Sequence, residues 1–381
     1  MKRRVCFVTG TRAEFGLMQS TLRAIKDHPR LQLQIIATGM HLDRRRGATV
    51  KEIADGGWKI DRVVAWGKSD SPTQRAIATG KATAALAEAF ESLRSDVILI
   101  VGDRVEAFAA AAAGHLGDRA VAHVHGGDRA LGQADDSLRH AITKLAHVHF
   151  PATAQSARRI RAMGEDAWRI HRVGAPGIDG IIEAAADHAL LNRWRPALKP
   201  HRFVLVCLHP TEPVAEKERR RAKLVLRSVL NSAIDRVIVV MPNNDPGAKG
   251  IAACWQEIRN DRVEAFNNLS RPIFLGLLRD AAMLIGNSSS GIIEAASFGT
   301  PVIDIGPRQA GRECGQNVIH VPFAAAEIER AIKNLWCGGR PKRFGSKNVY
   351  ASEGSTAAAA IAATLAALKI DAHLIRKLIA Y

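Results

Sequence analysis

Short apolar runs, each closed by a glycine or a polar turn, alternate along this chain with longer stretches of mixed polarity. The first is VCFVTG at residues 5–10, followed by a stretch of helical spacing that begins near Glu14. LQIIATG at 33–39 repeats the run-then-glycine pattern, and DVILIVGDR at 96–104 precedes the helical VEAFAAAAAGHL. AVAHVHGGD at 120–128 precedes a helix reaching Lys144, and HVHFPAT at 147–153 reads as one more strand. Such continuous runs indicate strands buried on both faces, and the helices between them make the crossovers of a parallel sheet.

After Gly174 the pattern restarts. FVLVCLHPTE (203–212), RVIVVMPNND (236–245), PIFLG (272–276), AMLIGNSSSG (282–291) and PVIDIGPRQ (301–309) are candidate strands of a second unit. VGAPGIDGI at 173–181, rich in glycine, suits the connection between the two. No internal sequence repeat is convincing; the halves resemble each other only in pattern. The expectation is an α/β protein of two doubly wound domains facing a cleft. The divisions expected are 1–175, 176–355 and a helix at 356–381 that packs back on the first domain. Open parallel sheets bind ligands beyond the carboxyl ends of their strands, where TGTRAE, GDR, HGGD, HPTE and GNSSSG all fall.

A length of 381 residues fits two domains better than one core. The run STAAAAIAATLAAL at 355–368 is shorter than the ~20 residues that span a bilayer, so it is expected as a packed helix and not a membrane anchor. The basic and then apolar N-terminus has too short an apolar part for a secretory signal and reads as a buried first strand. Five cysteines are scattered without a CxxC pair, which argues against a zinc ribbon or disulfide framework and fits a reducing cytoplasm. The net charge of +17 raises nucleic acid as a partner. Its basic residues are dispersed, with clusters at Arg44–Arg46 and in EKERRRAK (216–223), and only 5% of residues are aromatic. No nucleic-acid-binding signature accompanies them, so the charge reads as a solvated surface that also attracts anionic ligands.

GNSSSGIIEAASFGTP at 286–301 places Gly, Asn and three serines where a strand turns into a helix. Backbone N–H groups and hydroxyls at that point form an anion site suited to phosphate, whereas one capping serine alone requires no ligand. Glu294, one turn on, is placed to accept ribose hydroxyls. GTRAEFG at 10–16 matches neither the dinucleotide G-x-G-x-x-G spacing nor the phosphate loop of nucleotide hydrolases, but Arg12 can contact phosphate.

The stretch from Ala122 to Phe150 concentrates His123, His125, His140, His147 and His149 with Asp128, Asp135 and Asp136. The two glycines of HGGD let backbone approach a ligand. Asp135 or Asp136 caps the next helix, and Asp136/His140 and Asp135/Arg139 are spaced i,i+4 on shared faces. Surface ion pairs are the bland account of that spacing, and no complete metal-ligand set such as H-E-x-x-H is present. With Asp103 at another strand end, several carboxylates for proton transfer converge on one predicted cleft. The residues alone point to a two-domain enzyme acting on a phosphorylated ligand and leave the reaction open.

TGTRAEFGLM, GDRVEAFAAA, HVHGGD, DDSLRHAITKLAHVHF, HPTE, PNND and IGNSSSGIIEAASFGTPVIDIGPRQAGRECGQNVIHV, in this order from Thr9 to Val321, resemble the hydrolysing UDP-N-acetylglucosamine 2-epimerase family. The resemblance implies two Rossmann-like domains in the glycosyltransferase-B arrangement, with UDP held mainly by the second. It implies conversion of UDP-N-acetylglucosamine and water to N-acetylmannosamine and UDP through a 2-acetamidoglucal, with no nicotinamide and no obligatory metal. By motif, Arg12 and Arg308 contact the nucleotide, Ser288, Ser289, Ser290 and Gly291 bind the diphosphate, and Glu294 binds ribose. Asp103, His125, Asp128 and Asp135 are the acid–base candidates, Arg139 and His140 position or neutralise charge, and His209 lies near the leaving diphosphate. A nucleotide sugar is the implied partner, with no nucleic acid, no membrane and no cofactor, in a cytoplasmic homo-oligomer, a dimer or tetramer.

Two departures from that family pattern bear on the sugar. Asp128 stands where the family commonly has Glu, and RALG at 129–132 replaces a Thr/Glu-containing loop. Alternatives are a hydrolysing epimerase of a UDP-2,4-diacetamido-trideoxyhexose or GDP-linked sugar, a non-hydrolysing epimerase, and an inactive nucleotide-sugar-binding protein. HVHGGD argues against the non-hydrolysing form, whose acidic motif is HVEAG-like.

Overall fold

The computed structural model describes residues 2–42, 49–67, 71–129, 136–196, 198–242, 245–267 and 269–380. Asp135, the Arg44–Arg46 cluster, Ala130–Gly132 of RALG and Asn243–Asn244 of PNND lie outside the described residues. The chain divides into two compact units. One comprises residues 2–128, 136–179 and 350–380; the other comprises Arg129 and residues 180–349.

In the first unit the apolar runs form β1 (Arg3–Thr9), β2 (Leu31–Ala37), β3 (Arg62–Val63), β4 (Val97–Val101), β5 (Ala120–Val124) and β6 (Val148–Phe150). They make one parallel sheet in the order β3-β2-β1-β4-β5-β6. Alternate residues leave by opposite faces, and both faces are covered. Val5, Phe7, Leu31, Ile35, Val97 and Leu99 pack under the helices Arg12–Asp27 and Ala357–Ala367. Cys6, Val8, Ile36, Ile98 and Ile100 pack under Pro72–Ser92 and Val105–Leu116. Each such buried aliphatic side chain contributes about 1.5–3 kcal/mol, which is why unbroken apolar runs mark the central strands.

The second unit holds β7 (Phe203–Cys207), β8 (Arg236–Val240), β9 (Val263–Phe266), β10 (Met283–Gly286), β11 (Val302–Ile305) and β12 (Val318–Val321). Their order is β12-β11-β10-β7-β8-β9, again all parallel. Counted within the unit, this is the same order as the first sheet, so the halves share a topology without a sequence repeat. It is the Rossmann order, with the strand order reversing between β1 and β4 and between β7 and β10.

One expected strand is a helix. PIFLG lies in the helix Arg271–Asp280, with Pro272 in its first turn, where a missing N–H is harmless. Ile273, Leu275, Leu277 and Leu278 are all buried, so this helix is covered on more than one face. The strand at that sheet edge is β9, whose half-exposed residues give no apolar run.

The Ala-rich 355–368 run forms the helix Ala357–Ala367, capped by Thr356, and Asp179 accepts from the N–H of Ala357 and Ala358 at 3.1 and 2.8 Å. Its Ile361 and Leu365 enter the first unit's core. Among the described residues, no helix is long and apolar enough to cross a membrane.

Candidate active site

At the carboxyl ends of β4 and β5, side chains from four elements form one hydrogen-bonded chain. Asp103 follows β4 and pairs with Arg139 of the helix Asp136–Leu145. Arg139 is 3% exposed and also donates to the His125 carbonyl at 3.2 Å. His125 Nδ1 lies 3.0 Å from Asp128 Oδ2, and the Ser156 hydroxyl donates to Asp128 Oδ1 at 2.8 Å. Both Asp128 oxygens are therefore engaged. With Nδ1–H given to Asp128, the Nε2 of His125 is the ring's acceptor, the tautomer a general base requires.

The backbone is shaped to make this possible. His125 has φ 61°, a left-handed conformation uncommon outside glycine and a mark of local strain. Gly127 has φ 72°, and a Cβ there would lie 2.3 Å from the Ser156 carbonyl. The first helical turn after β6, capped by Thr153, thus sits against the HGGD loop. Arg159 donates to the Gly127 carbonyl at 2.6 Å.

Beneath the loop the histidines are structural. His123 bonds the Gly102 carbonyl at 2.7 Å, and burial pushes its pKa down to about 3. His147 Nδ1 accepts the Val121 N–H at 3.0 Å, and burial lowers it to about 3. His149 lies in β6 against Glu165 at 3.0 Å, lowered by burial to about 4. Burial alone would raise Glu165, but bonds from His149, Lys144 and Lys377 hold it at about 2. Lys377 also donates to the carbonyls of Lys144 and Ala146 at 2.7 and 2.6 Å, fastening the end of the helix that carries Arg139.

The second unit offers a different chemistry at the ends of β7 and β10. Asn287, fully buried, clasps the His209 backbone: its Oδ1 accepts the His209 N–H at 2.7 Å and its Nδ2 donates to the carbonyl at 2.9 Å. Gln309 in turn donates to the Asn287 carbonyl at 2.9 Å. Gly286 has φ 145°, and a Cβ there would stand 2.0 Å from the Cys207 carbonyl, so this crossing of β10 past β7 demands glycine. Ser288 caps the helix Ser289–Ile293 and shares a 2.7 Å hydroxyl contact with Ser290. That helix is short, so an anion here would be held by local N–H and O–H groups more than by a macrodipole. Gly291 packs closely on β11, where a Cβ would lie 2.9 Å from Val302.

The candidates thus fall into groups. Asp103, His125, Asp128 and Arg139 are connected; His140 stands beside them on its helix, 3.4 Å from Asp136 as its spacing implied. Arg139 pairs with Asp103 across 36 residues of sequence. Glu294 is buried at the end of its short helix and bonds Arg271 at 2.9 Å, its pKa raised by burial. Arg308 bonds Asp245 at 3.1 Å. Arg12 opens the helix Arg12–Asp27 and pairs with Glu52 at 3.0 Å, with both side chains about half exposed. Ser156 joins the first group, and Lys377 fastens the helix that carries Arg139, without any local sequence signal. Asn287 and Gln309 stood inside quoted motifs, legible as polar residues but not as clasps. Among the described residues, no group of three His, Cys, Asp or Glu is arranged to hold a metal ion.

Comparison with known proteins gives a consistent result. A family model for UDP-N-acetylglucosamine 2-epimerase matches residues 23–366. A UDP-N,N'-diacetylbacillosamine 2-epimerase (hydrolyzing) of Legionella pneumophila is 39% identical over 84% of this chain and 85% of its own length. A UDP-N-acetylglucosamine 2-epimerase of Neisseria meningitidis is 33% identical over 89% of each chain. The crystal structure of a UDP-GlcNAc 2-epimerase from Neisseria meningitidis bound to UDP-GlcNAc superposes with a TM-score of 0.80, covering 95% of this chain and 99% of that one at 17% identity, a likeness of fold. With the model spanning most of its length and two relatives above 30% identity, the chain belongs to the UDP-N-acetylglucosamine 2-epimerase family.

Proposed function

We propose that this chain is a hydrolysing 2-epimerase: a UDP-linked 2-acetamido-2-deoxy sugar of gluco configuration and water give UDP and the free manno-configured sugar. The observation that carries the reading is the chain of Asp103–Arg139 and His125–Asp128–Ser156 contacts at the ends of β4 and β5, buried from Arg139 through Ser156 with Asp103 at its more accessible end. Removal of the C2 proton with departure of UDP leaves a 2-acetamidoglucal. Water then adds at C1 while C2 is reprotonated from the opposite face.

Two proton-handling groups are needed, one for each face of C2. Asp103 and His125 fill these roles, with Asp135 the further acid–base candidate. Asp128 has both oxygens occupied, so it orients His125 and balances the imidazolium that forms. Arg139 holds Asp103 and neutralises charge, with His140 beside it. The C2 proton is weakly acidic, so stabilising the leaving diphosphate must supply much of the barrier lowering. That task falls to the Ser288–Gly291 turn, His209 and Arg12, with Glu294 on ribose and Arg308 as a further nucleotide contact. The reading needs no cofactor. It places the protein in the cytoplasm as a homo-oligomer, which light scattering tests directly.

UDP-N-acetylglucosamine is the first substrate we assign, with N-acetylmannosamine as product. The 39% identity to the Legionella protein favours UDP-N,N'-diacetylbacillosamine, a 2,4-diacetamido sugar, as a second. Incubation with each UDP-sugar in D2O, followed by proton NMR, tests both. Free UDP with a manno sugar deuterated at C2 is the expected result. A product that keeps its UDP makes the enzyme non-hydrolysing, and no release from either sugar ends the hydrolytic reading.

A further inference from the structure

In the second unit a cysteine, a histidine and an aspartate stand in a row that the nucleotide chemistry does not use. Asp304 on β11 is in register with His320 on β12, and Cys314 lies in the loop between those strands. Asp304 Oδ2 is 2.8 Å from His320 Nδ1, and His320 Nε2 faces Cys314 Sγ at 3.6 Å. The Asp304 side chain is 1% exposed and, among the described residues, its buried Oδ1 has no hydrogen-bond partner, so the imidazole is the carboxylate's counter-charge. That bond to Asp304, then the contact with Cys314, raises His320 to about 10. The carboxylate and the sulfur sit on opposite ring nitrogens, so their donor atoms do not converge on a metal position. The order of nucleophile, base and orienting acid is instead that of an activated thiol.

We propose that Cys314 is a reactive thiol, activated by the His320–Asp304 pair, and a site of modification by electrophiles and low-molecular-weight disulfides. With glutathione disulfide, the Cys314 proton resides on His320 Nε2 while the sulfur attacks one disulfide sulfur. The new S–S bond forms, the old one breaks, and the departing thiolate leaves as glutathione with the proton from His320. Cys314 is oxidised and the disulfide is reduced by the same two electrons. The other cysteines lack this arrangement. Cys6 and Cys207 are buried, and burial pushes their thiols up to about 12. Burial also raises Cys254. Cys337 is exposed, and among the described residues its sulfur faces the Lys333 and Asn334 carbonyls at 3.9 and 3.6 Å. It is a built-in control: more accessible than Cys314, with no imidazole. The modified sulfur would sit on the loop that also carries Arg308 and Gln309.

The test is limited alkylation of the full-length protein by iodoacetamide at pH 7, with rates at each cysteine read by peptide mass spectrometry. Cys314 is expected to react about tenfold faster than Cys337. His320→Gln leaves Asp304 unpaired and risks misfolding, so the informative variant is D304N/H320Q, which removes both charges. In that protein, shown to be folded by its urea transition, the Cys314 rate should fall to that of Cys337. Glutathione disulfide should give one adduct on wild-type Cys314 that dithiothreitol removes. Equal rates at Cys314 and Cys337, or an excess that survives in D304N/H320Q, would overturn the proposal.

Discussion

Acid should unfold this protein well before its surface carboxylates are protonated. His41, His123, His147 and His149 are each fully buried, and burial lowers them to about 4, 3, 3 and 4. His147 shows why without any pKa. Its Nδ1 accepts the Val121 N–H, so a proton placed there faces a donor. A histidine with a depressed folded pKa contributes stability that is complete above its unfolded value of about 6.5 and is lost as pH falls toward the folded value. From pH 6.5 to 4.5 each therefore forfeits up to about 2.7 kcal/mol, and the four together about 11. Glu14 opposes them. Burial raises it to about 7, so its protonation favours the folded state over the same window and returns up to about 3 kcal/mol. Glu294, raised by burial, acts in the same sense. Glu165 holds its proton balance until lower pH. The histidines win by up to about 8 kcal/mol before the opposing Glu294 is counted, against a typical total of about 5–15. Urea titrations from pH 7.5 to 4.5 should show the midpoint falling steeply below pH 6. His147→Gln, whose amide oxygen accepts the Val121 N–H without titrating, should lower the slope near pH 5 by about 1.4 kcal/mol per pH unit. A midpoint that is flat from pH 7 to 4.5 would refute the reasoning.

Asp128→Asn places an amide N–H against His125 Nδ1 and forces the opposite ring tautomer; kcat for UDP release should fall about 10²–10⁴-fold with little change in the urea midpoint, and a fall of less than threefold contradicts the assigned role. Gly127→Ala puts a Cβ into the Ser156 carbonyl at a positive φ, and urea unfolding should register a loss of about 2–5 kcal/mol. Lys377→Met leaves Glu165 to His149 and Lys144 and strands the carbonyls at the end of the Asp136–Leu145 helix; a loss of about 2–4 kcal/mol is expected by the same assay, and a wild-type midpoint would show the contacts to be dispensable.

The central strands were legible because a strand buried on both faces must be apolar throughout, as VILIV in β4 is. The edges were not: β3 and β9 owe their place to pairing partners and carry little apolar signal. PIFLG misled because a short apolar run fits a strand or a helix equally, and a helix that buries Leu275 as well as Ile273 and Leu277 shows no one-faced period to decide it. In the site, Asp103, His125 and Asp128 were visible because they follow apolar runs directly. Arg139 was visible too, but local spacing pointed to Asp135, while the structure joins it to Asp103 through the β4–β5 pairing. Ser156, Lys377 and the Asp304–His320–Cys314 row depend on contacts between distant segments, which no single window of sequence contains.

The division of the first unit has a consequence for how the protein is made. Residues 180–349 are contiguous and can close their own sheet as soon as they leave the ribosome. The earlier-made residues cannot finish. Until Ile361 and Leu365 emerge, the face of the Arg12–Asp27 helix that receives them is bare, and Glu165 waits for Lys377, made long after it. The half that begins first is completed last. Chains cut short before residue 350 would carry a closed second unit and an open first one, an exposed apolar seam for chaperones or proteases to find.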